Sequence, residues 1–203
     1  MLFRSPQNAI ALRNAAEKGK LVIALPQTKE LPWLEESAIP AGATVITDSK
    51  QSLVSSDAAE VVSDTGELRR NWERGIFTID TPRTQAAMGW IGGKKIGLAD
   101  VDITVSTRNA TIAVQSLDEN PISNSGAIMI SLGAGSVPKS ARQLPFYSEP
   151  VEGQLTIRAP KGLKLYKKNT SAEEKREIPA PYKDGRYFIN LDRSLATYWL
   201  VLK

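Results

Sequence analysis

The chain has 203 residues, 41% of them hydrophobic and 24% charged, which suits one generous core or two small ones and excludes wholesale disorder. Twenty-six lysines and arginines stand against 22 aspartates and glutamates, a formal charge of +4, but the basic residues are scattered among acidic ones rather than gathered in the stripe a nucleic-acid surface needs. Cysteine and histidine are both absent, so disulfides, thiolate or imidazole zinc sites and Ser-His-Asp or Cys-His catalysis are excluded, and a metal would have to be a hard cation on oxygen, calcium first.

Residues 6–19, PQNAIALRNAAEKG, place Ile10, Leu12 and either Ala15 or Ala16 near one face and end on Lys18-Gly19, a basic last turn followed by a glycine stop. This predicts one amphipathic helix. The apolar run LVIAL, ended by Pro26, predicts a short buried strand. Helix then strand gives the N-terminal segment, residues 1–57, a short α/β character. Its remainder carries Pro26, Pro32 and Pro40 and reads as connecting chain, with a short strand over ATVIT. Trp33, between Pro32 and Leu34, is either a plug between domains or a platform for a sugar ring.

From residue 58 to 203 the pattern turns to strands. EVVSD, LRRNW, IFTIDT, AAMGWI, KKIGLADVDITVST, ATIAVQSLD, AIMISLGAG, GQLTIRAP, LKLYKK, RYFINLD and ATYWLVLK are short runs divided by turn residues. A spacing of roughly ten residues between turns predicts a mainly β fold, an antiparallel β-sandwich of jelly-roll-like character. In the run 76–81, Ile76 and Thr78 face one side and Phe77 and Ile79 the other, and Pro82 ends the strand. Just beyond it Arg83, Thr84 and Gln85 form a cluster of donors suited to hydroxyls or carboxylates; equally, Asp80 and Arg83 pair to pin a turn. Ile91-Gly92-Gly93-Lys94 and Asp184-Gly185 predict hairpins, and Asp118 to Pro121 a type I turn. The last two strands, 186–191 and 197–203, are expected to pair as a hairpin. Residues 132–151 predict a long loop carrying Phe146, Tyr147 and Glu149, which folds back on the sandwich or lines a cleft; residues 167–177 predict a solvated loop.

Sugar-binding surfaces stack the apolar C–H faces of pyranose rings on Trp or Tyr, while Asp, Asn, Gln and Arg hold hydroxyls. Aromatic residues make up only 6% of the chain, so platforms are few. Trp72 is the best, because Arg69, Arg70, Asn71, Glu73 and Arg74 surround it and are too polar for a core; the same arginines also suit salt bridges to Asp64 and Glu67. Trp90 reads as core or rim, Trp199 as core, and Tyr147 and Tyr182 as secondary platforms. The predicted ligand-binding set is Trp72, Arg70, Asp80, Arg83, Gln85, Trp90 and Tyr147. Glycosidase chemistry needs two carboxylates about 5 to 10 Å apart, and Asp64, Glu67, Glu73, Asp80, Asp100, Asp102 and Glu149 are the acids at hand, but spacing along a chain selects no pair. No catalytic residue is therefore assigned. Asp100 and Asp102 share a strand face, open to calcium or to plain solvation.

The segments DTGELRR, FTIDTPRTQAAMGWIGG, AVQSLD and LPFYSEPVEGQLTIRAPKGLKLY resemble the β-rich region that follows the catalytic barrel in large bacterial glycoside hydrolases, cellulase-like enzymes with a TIM-barrel core. The resemblance covers most of residues 20–203. It implies a non-catalytic accessory domain whose partners are a polysaccharide or oligosaccharide and the neighbouring barrel, with nucleic acid and membrane not expected. Two alternatives stand beside it: a structural domain that packs on a barrel through Phe146, Tyr147 and Trp33, and a glycosidase in its own right. No run from Met1 to Ile10 has the apolar length of a secretory signal, and none reaches the roughly 20 residues of a membrane span. Location stays open, with the resemblance implying a secreted or periplasmic parent.

Overall fold

A computed structural model describes residues 6–19, 21–23, 41–42, 44–46, 58–140, 143–168 and 177–203. The chain divides into two compact units, residues 1–73 and 74–203. Trp33 and most of the proline-rich connection and of the charged stretch 167–177 lie outside the described residues.

In the first unit, helix α1 (Pro6–Lys18) forms where predicted, and Ala15 rather than Ala16 turns inward beside a buried Asn14. Strands β1 (Leu21–Ile23) and β2 (Thr44–Ile46) pair in parallel, and β3 (Glu60–Val62) and β4 (Leu68–Asn71) form an antiparallel pair. The helix is fastened to this pair by Arg70, whose guanidinium donates to the Glu17 carboxylate and, at 2.7 Å, to Asn14 Oδ1. The Asp64 amide closes the other side by donating to the Lys18 carbonyl.

The second unit is an antiparallel β-sandwich. Its strands are β5 (Ile76–Asp80), β6 (Thr84–Gly89), β7 (Lys95–Gly97), β8 (Val101–Val105), β9 (Ala110–Ser116), β10 (Ile128–Ala134), β11 (Ser136–Ser140), β12 (Gln143–Ser148), β13 (Gly153–Arg158), β14 (Leu165–Lys167), β15 (Glu177–Ile178), β16 (Tyr182–Lys183), β17 (Arg186–Leu191) and β18 (Trp199–Leu202). Within this unit one sheet runs β15-β14-β18-β10-β9-β6-β5 and the other β16-β17-β13-β8-β7, while β11 and β12 form a separate ribbon. The sheets do not close into a barrel.

The core follows from period-two alternation. Along β9, Ala110, Ile112 and Val114 are buried while Thr111 and Gln115 face out; along β8, Val101, Ile103 and Val105 are buried and Thr104 is exposed. These residues meet Ile130, Leu200 and Leu202 of the first sheet and Leu155, Ile157 and Ile189 of the second in one hydrophobic cluster. Each fully buried Leu or Ile contributes roughly 1.5–3 kcal/mol relative to exposure.

Three expectations about connections need correction. Residues 91–94 do form a tight turn, with the Lys94 amide bonded to the Ile91 carbonyl at 3.2 Å, but the turn carries the chain from one sheet to the other instead of making a hairpin. Two glycines signal a sharp reversal and cannot say which sheet receives the next strand. The last two strands likewise lie in different sheets: β18 is seated between β10 and β14. The expected loop 132–151 is largely the β11–β12 ribbon. Only Asp184-Gly185 does what its composition asks, both residues at positive φ (52° and 79°) in a two-residue hairpin between β16 and β17.

The β9–β10 connection is organised by Asp118. Its carboxylate accepts from Ser116 Oγ at 2.8 Å, the Gly126 amide at 2.9 Å and the Asn120 amide at 3.1 Å. The Ser116 hydroxyl, helped by these two amides, lowers its pKa well below the ordinary 3.8. A depressed carboxylate stabilises the fold fully above its unfolded value and loses that contribution as pH falls through the native one. Asp118→Asn is thus expected to lower the urea midpoint by a constant amount from neutral pH down to about 4, with the gap from wild type narrowing below that. A gap that did not narrow in acid would show that the charge is not what holds the turn.

Candidate functional site

Strand register decides which loops share an end of the sandwich. Gly89 and Ala134 both pair with Ala110, Gly153 pairs with Val105 and Leu191, and Trp199 pairs with Ser131. Trp90, the 92–94 turn, Arg108, the β11–β12 ribbon, residues 149–152 and residues 192–198 therefore gather at one end. Asp80 pairs with Gln85, Thr84 with Gln115 and Ile128 with Ser116, which puts Asp80, Arg83 and Gln85 at the opposite end. Trp72 and Arg70 belong to the other unit. Within the second unit the predicted set is divided between the two ends of the sandwich.

At that opposite end the polar side chains are committed to the fold. Gln85 is 0% exposed: its Oε1 accepts from the Asp100 amide at 2.9 Å and its Nε2 lies 3.4 Å from the Thr81 carbonyl and from Asp100 Oδ2. A buried amide with these partners stitches turns together and offers nothing to a ligand, which corrects its assignment to the site. Burial is a tertiary property that a Thr-Gln pair at a strand start does not reveal. Asp80 and Arg83 do not pair with each other. The Asp80 carboxylate accepts from the Ala99 amide at 3.1 and 3.2 Å, and Arg83 donates to the Asp118 carbonyl at 2.7 Å. The calcium candidates are also engaged: Asp100 faces Arg158 at 3.7 Å and Asp102 pairs with Arg186 at 2.9 Å. Among the described residues no three carboxylates gather.

Trp72 is 62% exposed, the most open of the chain's described tryptophans. The guanidinium carbons of Arg13 and Arg70 lie 5.0 and 5.6 Å from its ring centroid, so cations already take part of its π surface. The neighbouring arginines look elsewhere for carboxylates than Asp64 and Glu67: Arg70 finds Glu17, and Arg69 finds Glu60 at 3.2 Å.

The populated end of the sandwich carries three features. Trp90 is 47% exposed and held rigidly, its amide donating to the Gly75 carbonyl at 3.0 Å and its ring lying so close to Gly75 that a Cβ there would come within 2.4 Å of the indole Cδ1. The Arg108 guanidinium stands 5.1 Å from the ring centroid. The ribbon is exposed on both faces, with Val137 opposite Tyr147 on one and Pro138 opposite Phe146 on the other. At its foot lies a cleft of about 400 Å³ lined by Leu132, Glu149, Val151, Asp192, Leu195, Tyr198 and their neighbours. Tyr198 is exposed and meets Trp199 edge to face, centroids 6.1 Å apart.

Trp199, expected in the core, is 48% exposed. Leu200 and Leu202 take the inward positions of β18, so parity sends Trp199 out. The run Trp-Leu-Val-Leu is apolar throughout and hides that parity. Tyr198 is exposed for a different reason: it precedes the strand and lies in the bend that leads into it. The signal near it is Asp192-Arg193-Ser194: Asp192 caps a 3-10 turn (Arg193–Leu195), accepting from the Ser194 amide at 2.8 Å and from its hydroxyl, and this lays the next residues along the cleft. The Ser194 bonds hold the Asp192 pKa below its ordinary value.

Comparison with protein families, with curated proteins and with solved structures finds no match to this chain. Reasoning about its role rests on the side chains themselves. The carboxylates around the cleft are all occupied: Asp192 by its cap, Glu152 by Arg193, and Glu149 by the Gly135 amide at 3.2 Å. A carboxylate has about four lone-pair positions, so one that already holds a hydrogen bond still accepts from hydroxyls. The cleft thus brings carboxylate oxygens and the exposed edge of Tyr198 to one hollow.

Proposed function

We propose that this chain is a non-catalytic carbohydrate-binding β-sandwich module, an accessory part of a glycoside hydrolase. The observation that carries the reading is the cleft with Tyr198, backed by Trp199, at its edge and the acceptors Glu149 and Asp192 beside it. A pyranose ring placed there stacks its C–H face on the phenol and gives its equatorial hydroxyls to the carboxylates. The resemblance to barrel-linked β-rich regions supports the same assignment. The Ser194 bonds that lower the Asp192 pKa suit a hydroxyl acceptor better than a general acid, which requires a carboxyl raised in pKa.

Affinity electrophoresis through gels containing soluble glucan or xylan tests this. Tyr198→Ala is expected to weaken retention about tenfold, the effect of losing one stacked aromatic, while Phe146→Ala leaves it unchanged. A second reading has its own support in the ribbon, where Val137, Phe146 and Tyr147 lie open to solvent: the module packs on a catalytic barrel and binds no sugar. In that case no glycan is retained by any variant, and Phe146→Ala weakens association with the barrel.

A further inference from the structure

The Tyr198 cleft accepts many kinds of saccharide, and Trp90, at the same end of the sandwich, narrows the choice. We infer that Trp90, Arg108 and Lys94 form a seat for an oxyanion carried on a sugar ring, the carboxylate of a uronic acid or the ester of a sulfated residue. This inference rests on the carbohydrate-binding reading.

Arg108 differs from the other arginines of the sandwich in its partner. Arg193, in the lining of the cleft, is paired with Glu152, and Arg158 and Arg186 have Asp100 and Asp102. Arg108 is exposed and has no carboxylate partner among the described residues; what holds it is the indole of Trp90 at 5.1 Å. A guanidinium laid on an aromatic ring keeps its N–H donors free in its own plane, in the fork that matches a carboxylate or sulfate. Stacking also pre-orders the side chain, which reduces the entropy lost when an anion binds.

The backbone around it is fixed for this geometry. Gly92 donates to the Arg108 carbonyl at 3.1 Å, and a Cβ at position 92 would come within 2.6 Å of Arg108 Cα, so only glycine lets the two loops close together. Lys94 Nζ donates to the Trp90 backbone carbonyl and adds a second cation at this turn. Along the chain no acid lies between Asp80 and Asp100 or between Asp102 and Asp118, and the two acids that the fold brings to this end, Glu149 and Glu152, are engaged by the Gly135 amide and by Arg193. A neutral sugar would leave this free guanidinium unused. An acidic one satisfies it while its ring rests on the exposed part of the indole.

The test uses the full chain and three soluble polymers: a neutral glucan, polygalacturonate for the carboxylate, and a sulfated glucan for the ester. Wild type is expected to be retained more strongly by an acidic polymer than by the neutral one, and whichever acidic polymer does so assigns the oxyanion. Arg108→Gln should weaken that retention about tenfold and leave the neutral polymer unaffected. Arg108→Lys, which keeps the charge and loses the fork, should restore only part of it. Lys161→Gln, an equal loss of charge at the opposite end of the sandwich, is the control. Equal losses in Arg108→Gln and Lys161→Gln, or no preference for either acidic polymer, would overturn the seat while leaving the sugar-binding reading in place. Failure of all three polymers to retain the wild type would remove both.

Discussion

Leu200→Ala is expected to lower the stability of the sandwich by about 2–5 kcal/mol, and Trp199→Ala, one residue earlier and the larger truncation, by less than about 1 kcal/mol. The contrast follows from the parity of β18. Leu200 is fully buried in the cluster between the sheets, where losing its side chain removes transfer energy and leaves a cavity that the two sheets cannot collapse to fill. Trp199 projects to the outside, where its main neighbour is Tyr198. Urea denaturation of both variants, followed by tryptophan fluorescence for the first and by circular dichroism for both, checks this. If Trp199→Ala proved the more damaging, the strand would be seated with the opposite face inward and the aromatic edge of the cleft would not exist.

Gly89→Ala is the second large effect, on the order of 3 kcal/mol or more, combining an unfavourable backbone region with overpacking. Gly89 has φ +102°, and an added Cβ would lie 2.0 Å from the Gly75 carbonyl oxygen on the neighbouring strand. Nothing flexible is available to yield there, because the obstacle is backbone. Gly93 supplies the comparison: it too has positive φ, +72°, but an added Cβ meets nothing within 4 Å. Gly93→Ala should therefore cost only the left-handed penalty, about 1–2 kcal/mol. Because Trp90 follows Gly89 and packs on Gly75, the first substitution should also shift indole fluorescence in the folded state. Equal costs at positions 89 and 93, with an unmoved spectrum, would mean that the strands do not approach so closely.

Both experiments bear on function because they test the end of the sandwich where the candidate site is assembled. Its loops come from five separate stretches, Trp90 to Lys94, 106–109, the ribbon, 149–152 and 192–198. None is chemically distinctive alone. The site is a consequence of register.

What the amino-acid sequence determined by itself was whatever depends on near neighbours. Helix α1 was legible from the spacing of Ile10, Leu12 and Ala15 or Ala16 and the Lys18-Gly19 stop, the antiparallel strands from their alternation, and the β16–β17 hairpin from Asp184-Gly185, because a left-handed pair of residues admits little else. The openness of Trp72 could be anticipated from its charged flanks. Tertiary structure decided the rest, for reasons of parity and pairing. Whether Trp199 or Leu200 points inward is a single phase choice that an all-apolar strand leaves open. Whether Gln85 reads a ligand or seals a turn depends on Asp100, fifteen residues away and across the core. Which sheet receives the strand after Gly92-Gly93 depends on partners far along the chain. Long-range pairing sets these contacts, so Trp90, Arg108 and Tyr198 come together at one end of the sandwich although nothing in their local sequences connects them.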